Sequence, residues 1–214
     1  MKKEICVLFD MDGVMIDTET QYDGIWREIG ERYKIGIPHF EKVIKGTTLP
    51  NIINKYFSHL PASDQKDIEQ EIDEFETKME FPEIPGSLRL VDELKAAGIK
   101  VGLVTSSTQT KLNAVNKVRH FDELFDTIVA AERVVHGKPN PECYLIGARD
   151  LNVDPADCLV FEDSLNGIEA GKAAGMTVVG VATTLTADKL LPLVEIVIPD
   201  FSNFGLSDIE GIVK

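Results

Sequence analysis

Apolar and polar positions follow two different rhythms along the chain. The first apolar run, Ile5-Cys6-Val7-Leu8-Phe9, is short and continuous, the pattern of a strand covered on both faces, and it stops abruptly at Asp10-Met11-Asp12-Gly13. Beyond it the rhythm becomes helical. Tyr22, Ile25, Trp26 and Ile29 recur at helical spacing, Gly30 and Gly36-Ile37-Pro38 interrupt the pattern, and Phe40 to Ile44 resumes it. After a second break at Gly46-Thr47-Thr48-Leu49-Pro50, Ile52, Ile53, Tyr56 and Phe57 share a face. Past Pro61, Ile68, Ile72, Phe75 and Met79 predict a further helix over 64–80. Residues 18–81 thus form a helical unit with no strand, and Pro82-Glu83-Ile84-Pro85-Gly86 is its return linker.

From Ser87 onward strands and helices alternate. Apolar runs predict strands over 100–105, 127–131, 157–162, 177–182 and 194–198, the last at an edge. Helical spacing covers 87–97, closed by Gly98, then 109–118, 140–149, 165–174, closed by Gly175, and 186–191. Repeated βα units predict an α/β, doubly wound, mainly parallel sheet with helices on both faces. Right-handed crossovers then bring the strand ends to one rim. The expected division is a core of residues 1–17 and 82–214, with 18–81 inserted after the first strand.

Composition narrows the range of partners. With 22 basic and 36 acidic residues among 214, the formal charge is −14. Such a surface repels nucleic acid and anionic membranes, so neither is expected as a partner. The run after Met1-Lys2-Lys3-Glu4 meets a carboxylate too soon for a signal peptide or a membrane span. Cys6, Cys143 and Cys158 are widely spaced and read as free, buried thiols of a reducing compartment, giving a cytoplasmic expectation.

Four strand ends deliver polar residues to the common rim: Asp10 and Asp12; Thr105-Ser106-Ser107; the loop containing Gly137-Lys138-Pro139; and Glu162-Asp163-Ser164. Each has a plainer use. Asp10 and Asp12 suit a turn, Thr105 to Ser107 and Asp163-Ser164 suit helix caps, and Lys138 suits a solvated position before a helix. Caps do not require acids, hydroxyls and a lysine to converge. Phosphoryl transfer does, because a carboxylate attacking an anionic ester needs a divalent cation and a fixed positive side chain to offset repulsion. Asp10 with Glu162 or Asp163 offers the oxygen ligands that Mg²⁺ takes, while Thr105, neighbouring amides and Lys138 suit phosphate oxygens.

In this order, Asp10-Met11-Asp12-Gly13-Val14, Val104-Thr105-Ser106-Ser107, Gly137-Lys138-Pro139-Asn140-Pro141 and Phe161-Glu162-Asp163-Ser164 with Asn166-Gly167 resemble the haloacid dehalogenase superfamily. Within it the chain is most similar to the branch of β-phosphoglucomutase and small sugar-phosphate phosphatases. The resemblance implies a Rossmann-like core with a small helical cap. It implies Asp10 as nucleophile, forming an aspartyl-phosphate, and Asp12 as acid/base. Thr105 and Lys138 would hold phosphate with Ser106 and Ser107. Mg²⁺ would be held by Asp10, Asp12 through its carbonyl, Asp163, and Glu162 directly or through water. Lys45-Gly46-Thr47 resembles the cap loop that addresses substrate.

The mutase of this branch carries an arginine after that loop and a lysine after the serine-rich motif, where this chain has Leu49 and Thr108; Tyr22 stands where a histidine is common. Loss of both distal cations disfavours a second phosphate. The expected activity is a Mg²⁺-dependent phosphatase of a small phosphorylated metabolite, a sugar or polyol monophosphate. β-Phosphoglucomutase-type transfer and inorganic pyrophosphate hydrolysis are the alternatives. A monomer is expected, with a weak dimer as the alternative.

Overall fold

A computed structural model describes residues 4–45 and 47–212 of the protein. The six runs predicted as strands are β1 (Cys6–Phe9), β2 (Lys100–Val104), β3 (Thr127–Val129), β4 (Cys158–Glu162), β5 (Thr177–Val181) and β6 (Ile196–Ile198). All pair in parallel in one sheet of order β3-β2-β1-β4-β5-β6. The continuous apolar character of β1 follows from its central place. Val7 and Phe9 enter one buried cluster with Leu90, Leu94, Leu112, Val115 and Ile209. Cys6 and Leu8 enter the opposite cluster with Tyr144, Ala148, Ile168 and Leu190. Across β1 and β4 the free thiols of Cys6 and Cys158 meet at 3.0 Å.

The helices between Asp17 and Pro82 are α1 (Glu19–Arg32), α2 (Phe40–Val43), α3 (Leu49–Ile52), which widens into a π turn over Ile53–Phe57, and α4 (Ala62–Glu76). They bury a core of their own, centred on Trp26, Ile29, Phe40, Phe57, Ile68 and Ile72. The helices after them are α5 (Ser87–Ala96), α6 (Gln109–Arg119), α7 (Phe121–Leu124), α8 (Glu142–Leu151), α9 (Leu165–Ala173), α10 (Ala187–Leu190) and α11 (Leu206–Ile212). Among the described residues no helix is long and apolar enough to cross a membrane.

Several boundaries differ from the sequence reading. Gly30 does not interrupt α1; it lies inside the helix, where an added Cβ would come within 2.9 Å of the Phe40 ring, so the glycine admits a close approach. Helix α4 begins at Ala62 and ends at Glu76 rather than spanning 64–80. Helix α8 starts at Glu142, because the Asn140 side chain accepts from the Glu142 amide and holds residues 140–141 in a turn. The short helices α7 and α11 lack the longer periodicity that reveals a helix in sequence.

The two connections to the inserted helices run side by side. Ile84 donates to the Met15 carbonyl at 3.0 Å and Asp17 to the Pro82 carbonyl at 2.8 Å. An antiparallel bridge joins Ile16 and Glu83. Entry and exit of the insertion therefore form one paired ribbon at the end of β1. Just beyond it Gly86 has φ 81°, and a Cβ there would lie 2.7 Å from the Phe201 carbonyl oxygen. Gly86→Ala should lower the stability of the fold by about 1–3 kcal/mol, read as a lower urea midpoint at unchanged m-value.

Candidate active site

The register of the central strands assembles the rim. Phe9 pairs with Leu103 on one side and with Phe161 on the other, so Asp10, Val104 and Glu162 follow in one row. This row lies where the strand order reverses about β1, the place at which open parallel sheets bind ligands. Lys138 reaches it from the β3–α8 connection. Its buried Nζ donates to Asp10 Oδ1 at 2.5 Å and to Glu162 Oε1 at 2.6 Å, and touches the Val104 carbonyl at 3.4 Å. Burial alone would lower the Lys138 pKa, but Asp10 and Glu162 hold it well above its ordinary value.

Glu162 has no exposed surface, and both its oxygens are engaged. Oε1 also accepts from Tyr144 Oη at 2.8 Å, while Oε2 accepts from the amides of Asp163 and Ser164 and from Ser164 Oγ at 3.0–3.1 Å. Burial opposes its charge, yet Lys138 and these donors keep its carboxyl below the usual range. Asp10, with less support, takes the deficit: burial and the Glu162 and Asp12 charges push it up to about 8 against the pull of Lys138. Glycines make this crowding sterically feasible. Any side chain at Gly167 would overlap the Glu162 carboxylate, and one at Gly13, where φ is 77°, would overlap that of Asp163.

Asp10, Glu162 and Asp163 each offer a carboxylate oxygen within 4.8 Å of the others, a buried all-oxygen set suited to a hard divalent ion such as Mg²⁺. Asp10 and Asp163 line the cavity, whereas Glu162 is surrounded by protein donors. Asp163 is not consumed as a helix cap, since Ser164 caps α9 by accepting from the Gly167 amide at 3.1 Å.

Asp12 is held separately. Its Oδ1 accepts from Lys111 Nζ at 2.5 Å and from Thr18 Oγ1, and its Oδ2 accepts from Ser107 Oγ at 2.8 Å. Burial opposes ionisation, but Lys111 and the two hydroxyls keep the carboxyl below its ordinary range. Its carboxylate lies outside the metal-competent trio. Thr105 is buried, accepts from the Ser107 amide at 3.0 Å and lines the cavity with Ser106 and Ser107. The capping use open to these residues falls instead to Thr108, which accepts from the Lys111 amide.

The inserted helices lie over this rim and enclose a cavity of about 110 Å³. Thr47 lines it and accepts from Asn166 Nδ2 at 3.2 Å, tying the insertion to the Asn166-Gly167 segment. Lys45 also lines it while paired with Asp23 at 3.1 Å; Gly46 lies outside the described residues.

Sequence reasoning missed Lys111, Tyr144, Thr18 and Glu76. Lys111 shares a stripe of α6 with Val115, and Glu76 follows Ile72 by one turn on α4. A charged residue on an otherwise apolar face was the available signal for both. Tyr144, buried on α8 among Cys143, Ala148 and Leu151, carries no comparable signal.

The Asp10 environment has a stability consequence. Its carboxyl titrates near 8 when folded against an ordinary 3.8, so between those values folding takes up a proton and stability falls as pH rises. With metal chelated, Asp10→Asn should be more stable than the unaltered protein by over about 1 kcal/mol at pH 8–9. That difference should shrink as pH falls from 8 toward 4, as read by urea unfolding across pH.

A profile of the haloacid dehalogenase-like hydrolase family matches residues 7–181. Over 196 residues the chain is 35% identical to a phosphorylated carbohydrates phosphatase of Thermotoga maritima, covering 86% of this chain and 88% of that one. It is 33% identical over 192 residues to a bifunctional riboflavin kinase/FMN phosphatase of Arabidopsis thaliana, covering 84% of this chain. The match covers 49% of that protein, so the chain spans about half its length. The crystal structure of a HAD hydrolase, family IA, variant 3, from Entamoeba histolytica superposes with a TM-score of 0.85 at 26% identity, over 98% of this chain and 99% of that one. Since the family profile runs from β1 through β5 and takes in every strand that feeds the rim, the chain belongs to the haloacid dehalogenase-like hydrolases.

Proposed function

We propose that the protein is a Mg²⁺-dependent phosphatase that hydrolyses a small sugar or polyol monophosphate through an aspartyl-phosphate on Asp10. The observation that carries this reading is the division of labour between two neighbouring acids. Asp10 is clamped by Lys138 in a buried, oxygen-rich trio, whereas Asp12 has its own lysine and two hydroxyl donors. Two acids in such different surroundings suit two roles.

In the first half-reaction the Asp10 carboxylate attacks phosphorus and the bond to the leaving alcohol breaks. Asp12, ionised in the free site, takes up a proton as the anionic ester binds beside it and passes that proton to the leaving oxygen. In the second half, Asp12 takes a proton from water, which attacks the phosphoryl group and restores Asp10. Thr105, Ser106 and Ser107 hold phosphate oxygens, and Lys138 neutralises charge as it moves from nucleophile to phosphate. Glu162 positions Lys138. A Mg²⁺ ion held by Asp10, Asp163 and the Asp12 carbonyl would offset the repulsion between carboxylate and phosphate.

Residues 18–81 act in this reading as a cap that excludes water, with the paired ribbon at 15–17 and 82–84 as its hinge. Lys45, Gly46 and Thr47 address the substrate from the cap. Carbohydrate as the leaving group accords with the Thermotoga relative. A mutase is disfavoured because Leu49 and Thr108, uncharged, line the cavity where its distal cations would be needed. Pyrophosphate would leave the apolar wall of Trp26, Ile44, Ile52 and Ile72 unused.

A panel of sugar, polyol and nucleotide monophosphates assayed for released phosphate, beside glucose-1-phosphate isomerisation, tests the reading; isomerisation without phosphate release overturns it. Asp10→Asn should abolish turnover and leave no phosphate trapped on the protein. Lys138→Ala should lower kcat/KM by about 10²–10³. Chelation should remove activity and Mg²⁺ restore it.

A further inference from the structure

The cavity has a second half that the chemistry at Asp10 leaves unexplained. Beside Asp12, Lys111 Nζ sits 4.5 Å from the centre of the Tyr22 ring, and Tyr22 Oη donates to Glu76 Oε1 at 2.6 Å. A line of polar groups therefore runs from Asp12, through Lys111 on the core, to Tyr22 and Glu76 on the inserted helices. All four line the cavity. Glu76 is only 6% exposed, and among the described residues its buried Oε2 has no hydrogen-bond partner. A buried acceptor left unmade is costly, so its presence beside a cavity points to a donor supplied from outside the chain. Glu41, also buried and paired with Arg27 at 3.7 Å, contributes a second carboxylate to the lining, which also includes Ile44 and Ile72.

We propose that Glu76, Tyr22 and Lys111 form the leaving-group subsite, and that it selects phosphate monoesters of uncharged, polyhydroxylated alcohols. The inference rests on the phosphatase reading for its direction, because the group that leaves must lie beside the acid that protonates it, Asp12. Glu76 Oε2 accepts from a hydroxyl of the alcohol. Lys111, already neutralised by Asp12, donates to a second oxygen without creating a free positive site. The carbon skeleton lies against the apolar wall. The carboxylate of Glu76 repels a second phosphate, and uncharged Leu49 and Thr108 supply no cation to offset that repulsion.

Binding to Asp10→Asn protein in Mg²⁺, followed by calorimetry with sorbitol 6-phosphate, inorganic phosphate and glucose 1,6-bisphosphate, tests this without turnover. Sorbitol 6-phosphate should bind about tenfold tighter than inorganic phosphate, an advantage that Glu76→Leu on the same background should erase. Glu76→Gln, which keeps the shape and one carbonyl acceptor, should retain most of that advantage while improving bisphosphate binding relative to monophosphate about fivefold or more. Inorganic phosphate serves as the folding control for both variants. The proposal is overturned if sorbitol 6-phosphate has no advantage, if the advantage survives in Glu76→Leu, or if the bisphosphate already binds as tightly with Glu76 in place. Phosphate release by protein with Asp10 intact reads the phosphatase assignment separately, so either conclusion can fail alone.

Discussion

One buried ammonium stands between two buried carboxylates, and that imbalance organises the molecule. Lys138 cannot fully neutralise Asp10 and Glu162 together, so ionising both would leave a surplus negative charge in a place where charge is expensive. The surrounding structure decides which acid bears it. Tyr144, two main-chain amides and the Ser164 hydroxyl all serve Glu162, and Gly167 lets the start of α9 come close enough to supply them. Asp10 is left under-supported. An acid in that condition is stabilised by a proton, a cation or a bond to an electrophile, and the proposed phosphoryl transfer would bring it the last two.

The second acid shows the opposite design two residues away. Strand geometry ends at Phe9, and the turn through Gly13 sends Asp12 toward α6 rather than toward Lys138. There Lys111, Thr18 and Ser107 supply it with donors. The sheet register aligns Asp10 with Glu162, and the turn separates Asp12 from both. Two like residues close in sequence thereby acquire different surroundings, without any long-range rearrangement of the chain.

The strands and the rim were legible because each has a strong local signature. A strand buried on both faces reads as a continuous apolar run, and a parallel sheet delivers its strand ends to one edge, so the chain order alone gathers Asp10, Thr105, Lys138 and Asp163. Boundaries inside the inserted helices were less visible. Gly30 resembles a break in any local reading; only its contact with Phe40, ten residues on, shows why it belongs inside α1. Lys111 and Glu76 were hidden for a related reason. Their meaning lies in a contact between two helices that are remote in sequence, and a single charged residue on an apolar stripe does not say what it will face. The assignment of Glu162 also sharpened: its acidity was plain, but its saturation by protein donors depends on Tyr144 and on main-chain amides that carry no sequence signal.

The paired ribbon at Ile16 and Glu83 carries an implication for how such a protein diversifies. Because the inserted helices leave and rejoin the sheet at neighbouring points, and bury an apolar centre of their own, they constitute a cassette whose length and sequence can drift without disturbing strand alignment. Changes confined to that cassette leave the register of β1 with β2 and β4 in place, so Asp10 and Glu162 keep their common row.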